Sequence, residues 1–188
     1  LRGSGVCLRE LCADDAPVLL QAFAHPEVER YILPPPSDLE AFARFIAWSR
    51  TQREAGNSFC VVVVPEGAPG PVGLFQVHRL DQPFTTAEWG FIFARSHWGT
   101  GLFGASATLL LDFIFGPLGV TRLEARAVVD NVRAQGVLRK IGAIEEARLR
   151  RSVRIGGQFY DDALWAILDT DWAARRLALP SPPTPATN

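Results

Sequence analysis

Cysteine is scarce. Cys7, Cys12 and Cys60 are the only three in 188 residues. They are too few and too scattered for a disulfide framework or a zinc cluster, so no metal is expected and the expected setting is reducing and cytoplasmic. Charge of either sign in excess is also missing. Lys and Arg total 19 against 20 Asp and Glu, a net charge of −1, which removes the usual electrostatic case for a nucleic-acid binder. No apolar run approaches the roughly 20 residues that span a bilayer, and the first residues show no charged-then-apolar signal pattern. Neither nucleic acid nor membrane is an expected partner. What remains is 48% hydrophobic and 21% charged, the balance of a folded chain at a length that suits one domain.

Residues 6–175 are expected to form that domain, after a loose start at 1–5. Residues 176–188, with the run Leu179-Pro180-Ser181-Pro182-Pro183-Thr184-Pro185, have no apolar period and are expected to be a disordered tail. Between them, Val6 to Leu11 reads as a strand. Asp14-Asp15 is placed to cap a helix with Pro17 in its first turn and Leu19, Leu20 and Phe23 inward. Ser37-x-x-Glu40 opens a second helix with Leu39, Phe42, Phe45 and Ile46 buried, closed by Gly56. The period then changes to two. Phe59–Val64, Val72–Leu80 and Ala87–Ala94 are β-rich runs parted by Pro, Gly and Asp, which predicts an antiparallel meander. Gly101–Phe115 reads as helix, Arg122–Val129 as strand, and Asn131 caps a helix bearing Ala134, Val137, Leu138 and Ile141 at helical spacing, ended by Gly142. Two strands over 143–168 turn at Gly156-Gly157. The class is α/β, a mixed, mostly antiparallel sheet with about four helices.

The chemistry-bearing feature is the turn Trp98-Gly99-Thr100-Gly101-Leu102-Phe103-Gly104. A strand that leads through glycines into a helix presents unpaired main-chain N–H groups, and the positive end of the helix dipole, to a phosphate. Glycine lets the anion approach the amides. The spacing Gly99-x-Gly101-x-x-Gly104, with Asp130 at the end of the next strand, also fits a dinucleotide fingerprint. That fold requires several βα units in succession, and only one follows here.

From Glu88 to Trp172 the chain resembles the GNAT acyltransferase superfamily, specifically its RimJ/RimL-like branch of ribosomal-protein N-terminal acetyltransferases. The family's Q/R-x-x-G-x-G/A signature falls on Trp98 to Phe103, after Glu88-Trp89-Gly90-Phe91. Phe103 departs from the family's Gly or Ala. Asn131-x-x-Ala134-x-x-Val137-Leu138-x-Lys140-x-Gly142 matches a second motif except at Ala134, and Gly142-x-x-x-Glu146, Asp161-x-x-x-Trp165 and Asp171-Trp172 match a third. The N-terminal Leu8-Arg9-Glu10-Leu11 and His25-Pro26-Glu27-Val28 are similar as well.

The resemblance implies a GNAT acyl-CoA N-acyltransferase fold in which the strands at 87–94 and 122–129, the fourth and fifth, splay apart. Acetyl-CoA would be the cosubstrate, its pyrophosphate on Trp98, Gly99, Thr100, Gly101, Leu102, Phe103 and Gly104. Its pantetheine would pair with main chain near Ile92, Phe93 and Ala94 and meet Asn131. An amine attacks the thioester, with the acyl oxygen met by an N–H near Phe93 and with Glu88, among aromatics, as base; His78 is the reserve. Cys60 reads as core. Leu138 and Ala134 stand where family members carry Tyr or Ser, so the thiolate leaves unaided or through water, Tyr31 or another residue donates, or the protein binds CoA without turnover. Arg150, Arg151 and Arg154 read as a solvated face or as contacts to an acidic acyl group such as succinyl. Arg133, Arg139 and Lys140 could meet the nucleotide phosphate. The acceptor implied is a small-molecule amine or a protein N-terminus. Family members often form homodimers, which nothing in the sequence specifies. The rivals are a catalytically reduced acyl-CoA sensor and a dinucleotide-binding oxidoreductase.

Overall fold

Period-two runs become strands and 3.6-residue periods become helices in this computed structural model, which describes residues 1–178. In chain order the elements are β1 (Arg2–Gly3), β2 (Val6–Glu10), α1 (Ala16–Phe23), α2 (Pro26–Glu29), α3 (Leu39–Glu54), β3 (Ser58–Pro65), β4 (Gly73–Arg79), β5 (Thr86–Phe93), α4 (Leu102–Phe115), β6 (Arg122–Val128), α5 (Val132–Ile141), β7 (Ile144–Ile155), β8 (Gln158–Leu168) and α6 (Asp169–Ala178). One eight-stranded sheet has the order β1-β2-β3-β4-β5-β6-β8-β7. Among the described residues only β5 and β6 run parallel; the other neighbours are antiparallel.

Helices cover both faces. On one, Leu19 and Phe23 of α1 and Phe42 and Ile46 of α3 bury against Cys60, Val62 and Leu74. On the other, Leu110, Leu111 and Ile114 of α4 and Leu138 and Ile141 of α5 bury against Phe75, Val77, Trp89 and Leu123. Alternation along β3 to β5 supplies both sets. Cys60 is core as expected: burial pushes its thiol up to about 11, against the pull of a Ser49 hydrogen bond.

Several expectations shift. Residues 1–5 are not loose, because β1 pairs with β2 through a turn at Ser4 and Gly5, both at positive φ. The cap of α3 is Asp38 rather than Ser37, its carboxylate accepting from Ala41 N–H at 2.7 Å, and Leu39 is half exposed. The short α2 and the whole of α6 were not anticipated. Since α6 runs to Ala178, residues 176–178 of the expected tail are helix, and residues 179–188 lie outside the described residues.

Asp15 holds the N-cap position of α1 but makes no cap bond. Its carboxylate instead accepts from Arg9 Nη1 and Nη2 at 2.7 and 2.6 Å and from Cys12 N–H at 2.9 Å. Burial opposes its charge, yet these bonds outweigh burial and hold the carboxyl below its ordinary value. The stability it lends is therefore full above the unfolded carboxylate's pKa of about 3.9 and is lost as pH falls through the lower folded value. Asp15→Asn should cost about 2 kcal/mol at pH 7, and urea titrations of the two proteins should converge once pH has fallen below the folded carboxyl's lowered value. A gap that persisted there would assign the loss to packing rather than to charge.

Candidate active site

The parallel pairing of β5 with β6 is brief: Thr86 with Arg122, Ala87 with Leu123 and Glu88 with Glu124. Beyond it β5 stays with β4 as far as Phe93, and β6 follows β8 as far as Val128. The strands fork. A cavity of about 710 Å³ opens in the fork and continues between α4 and α5.

Register decides which main-chain groups face the gap. Ala94 N–H donates to the Val72 carbonyl at 2.8 Å, and Leu80 N–H to that of Thr86 at 2.9 Å. In an antiparallel ladder the bonded residues alternate, so Glu88, Gly90 and Ile92 also turn their main-chain groups to β4, while Phe91 and Phe93 turn theirs to the fork. This corrects the expectation for Ala94: its N–H is taken, and its carbonyl accepts from His97 N–H at 3.0 Å. Ile92 lines the cavity with its side chain. The Phe93 carbonyl accepts from Trp98 Nε1 at 3.0 Å, which leaves the Phe93 N–H and both groups of Phe91 toward the gap. Phe91 was missed, although period-two counting from a known β4 bond would have found it.

The turn has the expected form. Gly99 and Gly101 have φ of +76° and +86°, and a Cβ built on Gly99, Gly101 or Gly104 would meet nothing within 4 Å. The glycines therefore border open space rather than packed neighbours, as a phosphate cradle requires. Helix α4 begins with Ala105 N–H bonding the Gly101 carbonyl, so the amides of Phe103 and Gly104 have no helical partner. Thr100 and Leu102 do not line the cavity: the Thr100 hydroxyl donates to the His97 carbonyl at 2.9 Å and receives Leu102 N–H at 3.4 Å, bracing the turn from behind. Phe103 packs on Phe75, Trp89, Phe91 and Phe93, with ring centroids 4.6–6.3 Å away. The bulky residue at the small-residue position thus fills the aromatic cluster and leaves the amides open.

Trp98 stands between two guanidinium groups, Arg133 at 4.2 Å and Arg95 at 5.0 Å from its ring. Arg95 in turn holds Glu27 of α2 at 2.7 Å, which keeps that carboxyl below its ordinary range. Glu27 is the one carboxylate among the residues lining the cavity, against Arg133, Lys140 and Arg175. The lining therefore favours an anion. Asn131 caps α5, with its Oδ1 accepting from Ala134 N–H at 3.1 Å; its amide NH₂ has no partner among the described residues. Leu138 is buried and Ala134 carries no donor, whereas the Tyr31 phenol lines the cavity and sits edge-on to Tyr160.

Glu88 lies at the root of the fork and does not line this cavity. Strand alternation sends Trp89, Phe91 and Phe93 to the α4 face and Glu88 to the opposite one, beside its β4 partner His78 and its β6 partner Glu124. Burial lowers the His78 pKa and the charge of Glu88 partly restores it, so the imidazole is neutral at pH 7. Arg150, Arg151 and Arg154 are exposed on β7, where Arg151 and Arg154 stack on Phe159.

Residues 6–144 match the model of the acetyltransferase (GNAT) domain. The chain is 25% identical over 167 residues to the uncharacterized N-acetyltransferase p20 of Bacillus licheniformis, covering 88% of this chain and 94% of that one. Its fold is that of RimJ from Mycobacterium smegmatis, solved in complex with CoA-disulfide (TM-score 0.82, 22% identity, 92% and 88% of the chains covered). It is equally that of the ribosomal-protein-S5-alanine acetyltransferase of Vibrio fischeri (TM-score 0.81, 17% identity, 92% and 97% covered). The fork, the glycine turn that closes it and the match across residues 6–144 together identify the chain as a member of the GNAT acetyltransferase family, enzymes that move an acyl group from acetyl-CoA to an amine.

Proposed function

We propose that this protein acetylates a primary amine by direct attack on the acetyl-CoA thioester within a ternary complex. The observation that carries the reading is the fork between β5 and β6, with unpaired main-chain groups on one wall and the open glycine cradle at its end. The amides of Phe103 and Gly104, with Gly99 and Gly101, would hold the pyrophosphate; Asn131 would donate to the pantetheine. The Phe91 or Phe93 N–H would face the acyl oxygen as its charge develops. Acetyl-CoA supplies the activated carbonyl carbon. The acceptor's ammonium gives a proton through water to Glu88, the neutral nitrogen bonds to that carbon, the carbon–sulfur bond breaks, and a second nitrogen proton leaves to solvent as the thiolate departs. Tyr31, which lines the cavity, would protonate the departing thiolate. The acceptor class, a small amine or a protein N-terminus, follows the relatives, one of which is named for acting on an alanine of ribosomal protein S5.

A thermal-shift comparison tests the cofactor. A ligand at 100 times its Kd adds about 2.7 kcal/mol to stability, so acetyl-CoA should raise the melting temperature by several degrees while NAD and NADP leave it unchanged. Stabilisation by a nicotinamide cofactor alone would overturn the reading, though one parallel strand pair gives such a cofactor little to bind. The buried Leu138 and the bare Ala134 favour a second reading, a CoA-binding protein without turnover. Release of free CoA across a panel of amines separates the two: binding without release for every amine supports the second. In that assay Tyr31→Phe should lower kcat about 10-fold and leave KM for acetyl-CoA near its original value.

A further inference from the structure

The first rung past the last β5–β6 pair differs from the rungs before it. Thr86 pairs with Arg122 and Glu88 with Glu124; two residues on, the same count sets Gly90 opposite Arg126 where the fork opens. Strand alternation keeps both on the face of Glu88, away from α4. Gly90 is exposed in the interior of β5, and a Cβ built on it would meet nothing within 4 Å. It is not among the glycines at positive φ. Neither backbone conformation nor packing therefore requires glycine here, although a strand interior disfavours it. The remaining reason for a bare strand position is close approach by another molecule.

Both neighbours of that bare patch carry N–H donors. The register of β4 sets Gln76 beside Gly90 on one side, and Arg126 stands across the fork on the other. Arg126 is exposed and has no ion pair among the described residues. Glu124, the one carboxylate of β6, is already engaged: it accepts from Arg122 Nε at 2.8 Å, and Arg122 also holds Glu146. Arg126 is thus an unmatched cation one rung beyond Glu88, about 7 Å by strand rise. A bare floor between two donors, with a proton acceptor one rung away, matches a small molecule that carries both a carboxylate and an amine. We infer that Gly90, Gln76 and Arg126 seat the carboxylate of the acceptor, a free amino acid, with its amine turned toward Glu88 and the thioester. The inference rests on the acyl-transfer reading above and narrows its acceptor. In a protein N-terminus the first peptide bond replaces the main-chain carboxylate, so Arg126 would have no such partner. An Arg126 that merely faced solvent would treat amino acids and their amides alike.

The test is free-CoA release by the whole chain with α-, β- and γ-amino acids, their carboxamides, and the tripeptide amide Ala-Ala-Ala-NH₂. Rates are compared as kcat/KM per unprotonated amine. The original protein should favour at least one amino acid over its amide about 10-fold or more, as expected for a charge-assisted carboxylate contact. Arg126→Met should shrink that preference to about threefold or less with activity on the amides unchanged, and Arg126→Lys should keep most of it. Gly90→Val places a residue that suits a strand. It should leave the melting temperature and calorimetric CoA affinity intact and raise KM for the amino acids about 10-fold or more. A glycine needed only by the fold would cost stability instead. If Gly90→Val fails to fold, Arg126→Met decides. Equal use of acids and amides, a preference that survives Arg126→Met, or an unchanged KM in a folded Gly90→Val overturns the subsite. So does faster acetylation of the tripeptide amide than of every amino acid, or turnover confined to amines without a carboxylate, and in each case acyl transfer itself stands. No CoA release with any acceptor, here or in the wider amine panel, overturns both.

Discussion

Gly101→Val should abolish measurable CoA binding while the protein still folds. Gly101 is the N-cap of α4 with φ of +86°, a conformation that costs an L-residue about 1–2 kcal/mol and is worse for a β-branched one. The empty space around its built Cβ means that valine meets no wall of the protein. The isopropyl group instead occupies the cradle itself. A phosphate oxygen held off the amides of this turn loses charge-assisted hydrogen bonds worth about 1.5–3 kcal/mol each, so two lost bonds weaken binding roughly 10²- to 10⁴-fold. Gly67→Val is the control. Gly67 has φ of +76° and equally open surroundings but lies in the β3–β4 connection, so it carries the strain without the cradle. Both variants should lower the melting temperature alike, and only Gly101→Val should lose the added stabilisation by CoA. Intact CoA binding in Gly101→Val would place the pyrophosphate elsewhere.

That prediction rests on something local, and local features are what the sequence shows best. A glycine that must adopt positive φ can be read from one chain segment, as Gly99, Gly101 and Gly142 are, and so can helix periods such as Ala134, Val137, Leu138 and Ile141. Register cannot. Whether Ile92 or Phe91 opens its N–H to the fork depends on which carbonyl at the start of β4 bonds Ala94, and that carbonyl belongs to Val72, just before the strand and 22 positions away in sequence. Glu88 is a different case, since its parity against Trp89 already put the two on opposite faces of β5. The proline run after residue 179 drew attention from Asp169-Thr170-Asp171, which opens α6 with acidic residues in its first turn. With α6 unseen, Arg175 had no visible connection to Lys140, 35 positions earlier.

Glu88→Gln should lower kcat by about 10²- to 10³-fold at pH 7, within the range for loss of a general base, with CoA affinity unchanged because Glu88 lies outside the cavity lining. His78, its neighbour across β4, does not replace it. Burial already lowers the His78 pKa, and the Glu88 charge is the influence that holds it up. Glutamine removes that influence, so His78 becomes a still weaker base, and its pKa followed by NMR should fall in the variant. The deficit should also depend on pH in a way that reports the acceptor. Once the amine is deprotonated in solution no base is needed, so variant and original should converge as pH passes the acceptor's own pKa. That lies near 8 for a protein N-terminus and near 10.4 for a lysine-like amine. A deficit that stays constant through pH 10 would make Glu88 a residue that shapes the fork and moves no proton.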